Sequence, residues 1–436
     1  MISPDTAFKA HLAHVTDIYS RALAQSGYEV LVIGAGFAHR HFLDDRDDPF
    51  TPNPHFKYWV PLANAPGSFV VYSPGIKAKL LFLQPEDYWH KPPETPTEAW
   101  VNEFELIPIR TLAEARAHIP PKALFIGEAF HSQDTFGFAA SNPAAFLAAV
   151  HYARASKTPY ELMCLQQATE IAARGHKAGL AAFKAGLSEY ATHLEYLRAT
   201  THMEAELPYH NIIAHNEAAA ILHYTDLRRT TPAPLRTLLI DAGGQYRGYA
   251  ADITRTHTAD TGLFGELKAH MEALELKLCA MVTPGRDYAE IHASAHRFVA
   301  ETLSAMNLIH GTVDSAIERG ITAVFFPHGI GHLLGLQVHD IGGHQTAADG
   351  SVTPPPPHQP FLRLTRTLTE NCVVTIEPGI YFIPLLLKQA HAKGLNRELN
   401  LSRIESLLPF GGVRIEDNVV ATKAGALNLT RQALAF

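Results

Sequence analysis

Residues 238–253 read LLIDAGGQYRGYAADI, so that one aspartate ends an apolar run and a second follows eleven residues later. The apolar residues before Asp241 predict a buried strand, the two glycines at 243–244 predict a turn, and residues 249–253 predict a return strand. Asp241 and Asp252 would then face each other across a hairpin-like pair.

Two glutamates lie in segments of the same kind. Residues 374–376 predict a strand that Pro378-Gly379 ends, which leaves Glu377 at the strand end, free to point into a cleft. In residues 412–416, strand alternation places Arg414 and Glu416 on the face opposite two apolar side chains. A cation and a carboxylate would therefore share one side of this strand.

A histidine completes the set. His332 lies in the run HGIGH, whose glycines permit a tight loop that presents an imidazole nitrogen. Each residue alone is more often a solvated or hydrogen-bonded structural group, and only the combination favours a metal site. The predicted ligands are Asp241, Asp252, His332, Glu377 and Glu416.

Four carboxylates in a poorly solvated pocket repel one another unless cations neutralise them. Oxygen and imidazole donors without thiolate favour Mn²⁺, Co²⁺ or Zn²⁺, and manganese is our first choice. Two such ions, roughly 3.5–4 Å apart, can share a bridging hydroxide and polarise a carbonyl. The predicted reaction class is hydrolysis.

The bulk composition excludes several other classes. The chain has 436 residues, of which 47% are hydrophobic and 18% are charged, which is typical of a soluble protein of two domains. A net charge of -7 without a basic run argues against a nucleic-acid partner. No run approaches the ~18 apolar residues of a membrane span, the first ten residues do not resemble a signal peptide, and three scattered cysteines suit a reducing cytoplasm.

The first part of the chain predicts a mixed α/β domain over residues 1–156. A helix over residues 6–26 ends at Gly27, and β-rich runs at 30–33, 69–72, 80–83 and 123–126 alternate with helical segments. Thr158 and Glu161 form a capping-box pattern with Pro159 between them, which predicts a second domain over 157–436 that opens with a helix to about residue 185. Residues 342–360 predict an extended loop.

The segment Gly34-Ala35-Gly36 follows a predicted strand and begins like a dinucleotide fingerprint. Position 39 is a histidine, so the third glycine is missing, and a strand-end turn is favoured over a nucleotide site.

Four strings of the second half closely resemble the metallopeptidases of pita-bread fold, in particular the bacterial Xaa-Pro dipeptidases, or prolidases. They are DAGGQYRGYAADITRTH (241–257), HGIGHLLGLQVHD (328–340), TIEPGIYF (375–382) and GGVRIEDNVV (411–420). The string FLDDRDDPFTPNPHFKYWVPL (42–62) resembles the branch that contains organophosphorus acid anhydrolase. The resemblance implies an α+β protein with an N-terminal mixed α/β domain and a C-terminal pita-bread domain.

The resemblance also implies roles for the predicted ligands. Asp241 would chelate one metal, Asp252 and Glu416 would bridge both, and His332 with Glu377 would complete the other ion. Glu377 would in addition carry a proton from the bridging water to the proline nitrogen. One local departure is Leu333-Leu334 after His332, where the family often has a proline.

Further positions match family residues around the substrate. His223 and His339 would stabilise the tetrahedral oxyanion, and Arg363 is the better candidate for gripping the substrate carboxylate. Arg414 would contact substrate or support the metal carboxylates. The remaining matches to the substrate pocket are Tyr209, Leu222, Tyr288, His328, Val338 and Leu362, with Asp45 (or its neighbour Asp44) reaching the neighbouring subunit's pocket.

The resemblance therefore implies a cytoplasmic, homodimeric dipeptidase that cleaves the imide bond before a C-terminal proline, with two divalent metals per subunit. Organophosphate hydrolysis is a possible side activity of the same site. The alternatives are an aminopeptidase P acting on longer peptides, with the same metal set, and a catalytically silent binding protein of the same fold.

Overall fold

The computed structural model describes residues 3–130 and 133–435. The chain divides into two compact units, the first formed by residues 1–164, 247–249 and 347–351, and the second by residues 165–246, 250–346 and 352–436. Within the described ranges, no helix has the length and apolar character that crossing a membrane requires.

The first unit is built on a mixed sheet. Its strands are β1 (Leu31–Gly34), β2 (Phe69–Tyr72), β3 (Lys79–Leu83), β4 (Glu105–Ile109), β5 (Leu124–Ile126) and β6 (Ala140–Ser141). Its helices are α1 (Pro4–Ser26), α2 (Pro54–Trp59), α3 (Leu112–His118) and α4 (Ala144–Arg154).

The strand order in this sheet is β4-β3-β2-β1-β5-β6. Strand β1 runs antiparallel to β2 and parallel to β5, which makes the sheet a mixed one. The four predicted β-rich runs all form strands here, and their side chains Val32, Phe69, Leu81 and Phe125 are almost fully buried in one apolar core.

Local signals set the ends of two helices. Helix α1 ends at Gly27, whose φ of 74° is a left-handed conformation that glycine adopts without strain. Before the long helix α5 (Pro159–Lys184), the N–H of Thr158 donates to Glu161 Oε2 at 2.8 Å, and the N–H of Glu161 donates to Thr158 Oγ1 at 3.3 Å. The predicted capping box is confirmed.

The second unit holds the remaining elements. Its strands are β7 (Ile212–His215), β8 (Thr237–Asp241), β9 (Gln245–Tyr246), β10 (Tyr249–Ala250, of which Tyr249 belongs to the first unit), β11 (Thr254–Thr258), β12 (Val373–Ile376), β13 (Gly379–Tyr381), β14 (Gly412–Arg414), β15 (Asp417–Thr422) and β16 (Gly425–Asn428). Its helices after α5 are α6 (Glu189–Thr200), α7 (Leu263–Cys279), α8 (Tyr288–Ala305), α9 (Val313–Glu318), α10 (Thr322–Phe325), α11 (Pro384–Ala392), α12 (Leu401–Leu407) and α13 (Leu429–Leu434).

These strands form two three-stranded sheets, β11-β8-β7 and β12-β15-β16, and two short pairs, β10-β9 and β13-β14. Residues 342–360 contain neither helix nor strand, as predicted.

The return strand predicted after Asp241 is wrong in its position. Only Tyr249 and Ala250 of the predicted segment are extended, and they pair with β9. The partner of β8 is β11, which begins at Thr254 and places that residue opposite Asp241. Asp252 therefore lies in an irregular segment before the strand, because the two-residue pairing of β9 with β10 uses up the residues that a simple hairpin would have needed.

Candidate metal centre

Four strands, paired as β8 with β11 and β12 with β15, bring the acidic side chains together. Thr254, at the start of β11, lies opposite Asp241 on one side and forms an isolated bridge with Glu416 on the other. Strand β12 pairs with β15 so that Ile376 is opposite Asp417, and continuing this register by one residue brings Glu377 opposite Glu416. Residues opposite one another in an antiparallel pair have Cβ atoms roughly 4.5–5.5 Å apart, so the register brings Glu377 beside Glu416, and Thr254 lies between Glu416 and Asp241.

His332 is held beside β12 by its main chain. Its N–H donates to Thr375 Oγ1 at 3.1 Å, and its carbonyl accepts from the N–H of Thr375 at 3.0 Å. The preceding Gly331 has a φ of 151°, and a Cβ there would lie 2.2 Å from the Thr375 carbonyl oxygen. Only glycine fits this close approach, which explains the HGIGH spacing.

The imidazole of His332 is oriented for binding a cation. Its Nδ1 lies 3.0 Å from the carbonyl oxygen of Leu333, so Nδ1–H donates there and Nε2 is the nitrogen left to bind a cation. Nε2 faces Asp252 Oδ2 at 3.5 Å and Glu377 Oε1 at 3.7 Å. This arrangement of a ring nitrogen fixed by a carbonyl is the usual one for metal-binding histidines.

The two aspartates meet at Tyr209. Its hydroxyl lies 2.8 Å from Asp241 Oδ1 and 2.5 Å from Asp252 Oδ1. Although Asp252 lies outside the predicted hairpin, the two carboxylates still converge. We refer to Asp241, Asp252, His332, Glu377 and Glu416 together as the ligand cage.

The electrostatics of the cage favour positive charge. Burial raises the pKa of Glu416 well above its ordinary value, and the charges of Asp252, Glu377 and Asp241 raise it further. Burial also raises the pKa of Glu377, to about 7. Burial opposes protonation of His332, but its hydrogen bond to Asp252 and the charge of Glu377 raise its pKa above the ordinary value. Bound cations would offset the repulsion between these carboxylates and stabilise their ionised forms.

The donor set fits divalent metal ions. One ligand atom from each of Asp252, His332 and Glu416 lies within 4.8 Å of the others, and all three side chains are buried. Carboxylate and imidazole donors without a thiolate match the ligand preferences of Mn²⁺, Co²⁺ and Zn²⁺.

Arg414 is buried beside the cage and donates to three partners. These are Asp241 Oδ2 at 2.7 Å, the Tyr381 hydroxyl at 3.0 Å and Thr254 Oγ1 at 3.2 Å. The Thr254 hydroxyl in turn donates to Glu416 Oε2 at 2.7 Å. Arg414 therefore contacts one cage carboxylate directly and a second through Thr254.

Three predicted substrate residues, His339, His223 and Arg363, are exposed, and one of them contacts the cage. His339 is exposed and packs edge-on against His332, with ring centroids 4.4 Å apart and an angle of 85° between the rings. Partial burial, together with the charges of His332 and Arg363, lowers the pKa of His339 to about 4, so the ring is neutral near pH 7. His223 and Arg363 are exposed, and the positive charge of each lowers the pKa of His339.

His328 and Tyr288 both have hydrogen-bond partners within the protein. The Nδ1 of His328 lies 2.8 Å from the Gly329 carbonyl and its Nε2 lies 2.8 Å from the Tyr381 hydroxyl, so both nitrogens have partners. The hydroxyl of Tyr288, a fully buried residue, donates to the Thr375 carbonyl at 2.7 Å. Both side chains support the strands that carry the cage.

The apolar positions and the acidic turn are placed differently. Leu362 is buried, whereas Leu222 and Val338 are half-buried. Asp45 belongs to the first unit, in an exposed turn where the Oδ1 of Asp44 accepts from the N–H groups of Asp45 and Arg46.

Among the residues that contact the cage or its supports and that sequence reasoning missed, two have side-chain hydroxyls bonded to Arg414. Thr254 and Tyr381 both lie inside the quoted strings, and both are completely buried. A buried hydroxyl needs a hydrogen-bond partner. The position of Thr254, two residues after the predicted ligand Asp252, was therefore the signal that could have identified it.

The fold and the cage define a metallopeptidase. The chain belongs to metallopeptidase family M24, whose model matches residues 163–423, and residues 6–152 match the model described as "Xaa-Pro dipeptidase, N-terminal domain". The expected α+β class, with a mixed α/β domain followed by a pita-bread domain, is confirmed.

Among its relatives are bacterial Xaa-Pro dipeptidases. The chain is 44% identical to the one from Shewanella loihica, over 98% of both chains, and 42% identical to one from Stenotrophomonas maltophilia, over 99% of this chain and 98% of the relative. It also shares its fold with aminopeptidase P from E. coli in complex with the inhibitor Pro-Leu, at a TM-score of 0.75 and 22% identity, over 99% of this chain and 96% of that one.

Proposed function

We propose that this protein is a Xaa-Pro dipeptidase, which hydrolyses the imide bond of dipeptides with a C-terminal proline. The observation that carries the proposal is the ligand cage, in which ligand atoms of Asp252, His332 and Glu416 lie within 4.8 Å of one another, with Glu377 3.7 Å from His332 and Asp241 joined to Asp252 through the Tyr209 hydroxyl. The 42–44% identity to Xaa-Pro dipeptidases along nearly the whole chain supports the substrate class.

We propose that the cage holds two divalent cations, with Mn²⁺ as the first choice. Asp241 would bind one ion, His332 and Glu377 the other, and Asp252 and Glu416 both. When bound, the ions would activate a water and polarise the scissile carbonyl.

The residues of the chain would supply the proton transfer and the orientation of the substrate. Glu377, whose side chain is 19% exposed, would accept the proton of the attacking water and return it to the proline nitrogen. His339, neutral and exposed beside His332, would donate to the developing oxyanion, and His223 would assist from its exposed turn.

Arg363 would bind the carboxylate of the substrate's proline, because its guanidinium is exposed near His339 and a planar fork suits a carboxylate. Tyr209, Leu222 and Val338 would line the pocket, with Leu362 behind them. His328, which lies 3.7 Å from Glu377, would line the pocket as well, whereas Arg414 and the fully buried Tyr288 would position the residues that touch metal or substrate.

We further propose a domain boundary between residues 156 and 157, supported by the capping box that opens α5, and a homodimer in the cytoplasm, in which Asp45 would reach the partner's pocket. The side chains of Phe42 and Leu43, next to Asp45, are both 91% exposed, which favours burial against another subunit.

The decisive assay is manganese-dependent hydrolysis of Ala-Pro, compared with Ala-Pro-Ala and Ala-Ala. We expect Ala-Pro to be hydrolysed and the other two to be poor substrates. Preference for Ala-Pro-Ala would instead make the protein an aminopeptidase P. No turnover of any peptide, with no bound metal, would make it a silent binding protein.

A further inference from the structure

Three consecutive polar residues lie at the start of strand β15, one just before it and two within it. Glu416, Asp417 and Asn418 are 2%, 0% and 0% exposed, between the fully buried Ile415 and Val419. Buried polar groups are costly unless each finds a partner. Glu416 belongs to the ligand cage, and the other two therefore need a separate explanation.

Asp417 has strongly charged partners on both sides. Arg255 donates to its Oδ1 at 2.5 Å, and Arg431 donates to its Oδ2 at 2.6 Å. The carboxylates of Asp417 and the nearby Glu275, which also accepts from Arg431, are thus bound by guanidinium groups. This second group of acids is satisfied by the chain itself.

Asn418 instead faces the main chain of Asp252. With the amide nitrogen turned to the carbonyl, it donates to the Asp252 carbonyl oxygen at 2.6 Å and accepts from the Asp252 N–H at 3.3 Å. This orientation is assigned from the partners, since the opposite one sets two oxygens against each other. The N–H of Asn418 itself donates to Thr430 Oγ1 at 2.9 Å, which anchors the strand below.

These two bonds matter because Asp252 lies outside any strand. Its neighbours are held by other groups, since the N–H of Ala251 donates to the Gly244 carbonyl and the Ile253 carbonyl accepts from the N–H of Ala242. A buried main-chain N–H and C=O each require a partner, and the side chain of Asn418 takes the place that a neighbouring strand would otherwise occupy.

We propose that Asn418 is a positioning residue that fixes the spacing between the two carboxylates of Asp252 and Glu416. This rests on the proposed metal site. Glu416 lies two residues before Asn418 on the same chain segment. This segment therefore carries the carboxylate of Glu416 and, through the side chain of Asn418, also holds the main chain of Asp252. Carboxylates that repel each other would otherwise drift apart, and the weaker of the two cations would be lost first.

Asparagine is suited to this task because its amide is at once a donor and an acceptor, on a short side chain. Alanine would leave both main-chain groups of Asp252 without a partner. Aspartate would keep the acceptor and set a carboxylate oxygen against the Asp252 carbonyl.

The test is Mn²⁺ binding by metal-free full-length protein in equilibrium dialysis, with electron paramagnetic resonance to distinguish a single ion from a coupled pair. We expect Asn418→Ala and Asn418→Asp to bind the weaker ion about 10- to 100-fold less tightly, which is typical of a lost partner behind a metal ligand.

The matched control is Asn216→Ala. Asn216 is also buried, and its side chain accepts from the N–H groups of Arg236 and Thr237 and donates to the Pro234 carbonyl. These contacts lie at the far end of β8 from Asp241, roughly 13 Å away along an extended strand. This variant should lose stability towards urea and keep both ions.

Wild-type Mn²⁺ affinity in a folded Asn418 variant would overturn the inference while leaving the proposed function intact. Failure of both variants to fold, while Asn216→Ala folds, would also overturn it, because Asn418 would then be a determinant of folding. A wild-type protein that binds no Mn²⁺ would overturn the proposed function and this inference together.

Discussion

The guanidinium of Arg414 donates to Oδ2 of Asp241 at 2.7 Å, and the two side chains are only 5% and 13% exposed. Lysine keeps the charge but cannot reach Asp241, Tyr381 and Thr254 at once. We therefore expect Arg414→Lys to reduce kcat for Ala-Pro about 10- to 100-fold. The exposed Arg286→Lys, from an ion pair with Glu290, serves as the control. A kcat within a factor of about two of wild type would contradict a positioning role for Arg414.

Asp252→Asn should abolish turnover and weaken metal loading, because the carboxylate proposed to bind both ions would lose its charge and one good donor. Metal content by mass spectrometry and Ala-Pro hydrolysis measure the two effects. Asp260→Asn is the control, since Asp260 only caps α7 through the N–H groups of Phe264 and Gly265. Near-normal hydrolysis by Asp252→Asn would refute the cage.

Arg363→Ala should raise KM for Ala-Pro about 10- to 100-fold, the cost of a hydrogen-bonded charge pair. The same change should have little effect on the KM for Ala-Pro amide, which lacks the carboxylate. Equal losses on both substrates would remove the proposed role. Because Arg363 is exposed, the variant should be as stable as wild type.

After a chelator removes the metal, the free energy of unfolding of the protein should depend on pH. In the cage, burial raises the pKa of Glu377 from its ordinary 4.5 to about 7 and that of Glu416 well above its ordinary value. Acids with raised pKa values stabilise the folded state below the unfolded pKa, and that stability is lost as pH rises. Urea unfolding of the metal-free protein should therefore show stability falling from about pH 5 to about pH 7. The Glu377→Gln variant should show a smaller slope, and added Mn²⁺ should restore stability at the higher pH.

Arg255→Ala should destabilise the protein by about 3–5 kcal/mol, because it removes one partner of a buried ion pair. Arg255 also donates to the carbonyls of Thr254 and Glu416, both at 2.8 Å. Lys423→Ala, which breaks an exposed pair with Glu370, should cost no more than about 1 kcal/mol. Chemical denaturation of both variants with metal bound compares them, and similar losses would argue against a supporting role of Arg255.

Much of the local structure could be predicted because its causes lie within a few residues. Gly27 ends α1 through its own left-handed conformation, and Thr158 with Glu161 caps α5 through reciprocal bonds three residues apart. The apolar runs of the first unit became strands because their residue types favour extended, buried chain.

The path of the chain between the two aspartates could not be predicted in the same way. Residues 249–253 have the composition of a strand, yet β8 pairs with β11 instead. Which segment pairs with β8 depends on which one buries its backbone best in the folded protein. The short pair of β9 with β10 also uses residues 249 and 250, so they are not available to β8. Asp252 therefore depends on Asn418, a residue 166 positions away.

The sequence by itself determined which donors are present: acids and an imidazole at the ends of apolar segments, a capping box, and glycines where the chain must turn. Only the tertiary structure decided how those donors meet. Registers between β8, β11, β12 and β15 bring Asp241, Glu416 and Glu377 to one place, and Asn418 secures Asp252 there. The physical reason is that propensity acts over a few bonds, whereas strand register is fixed by burial summed over distant segments.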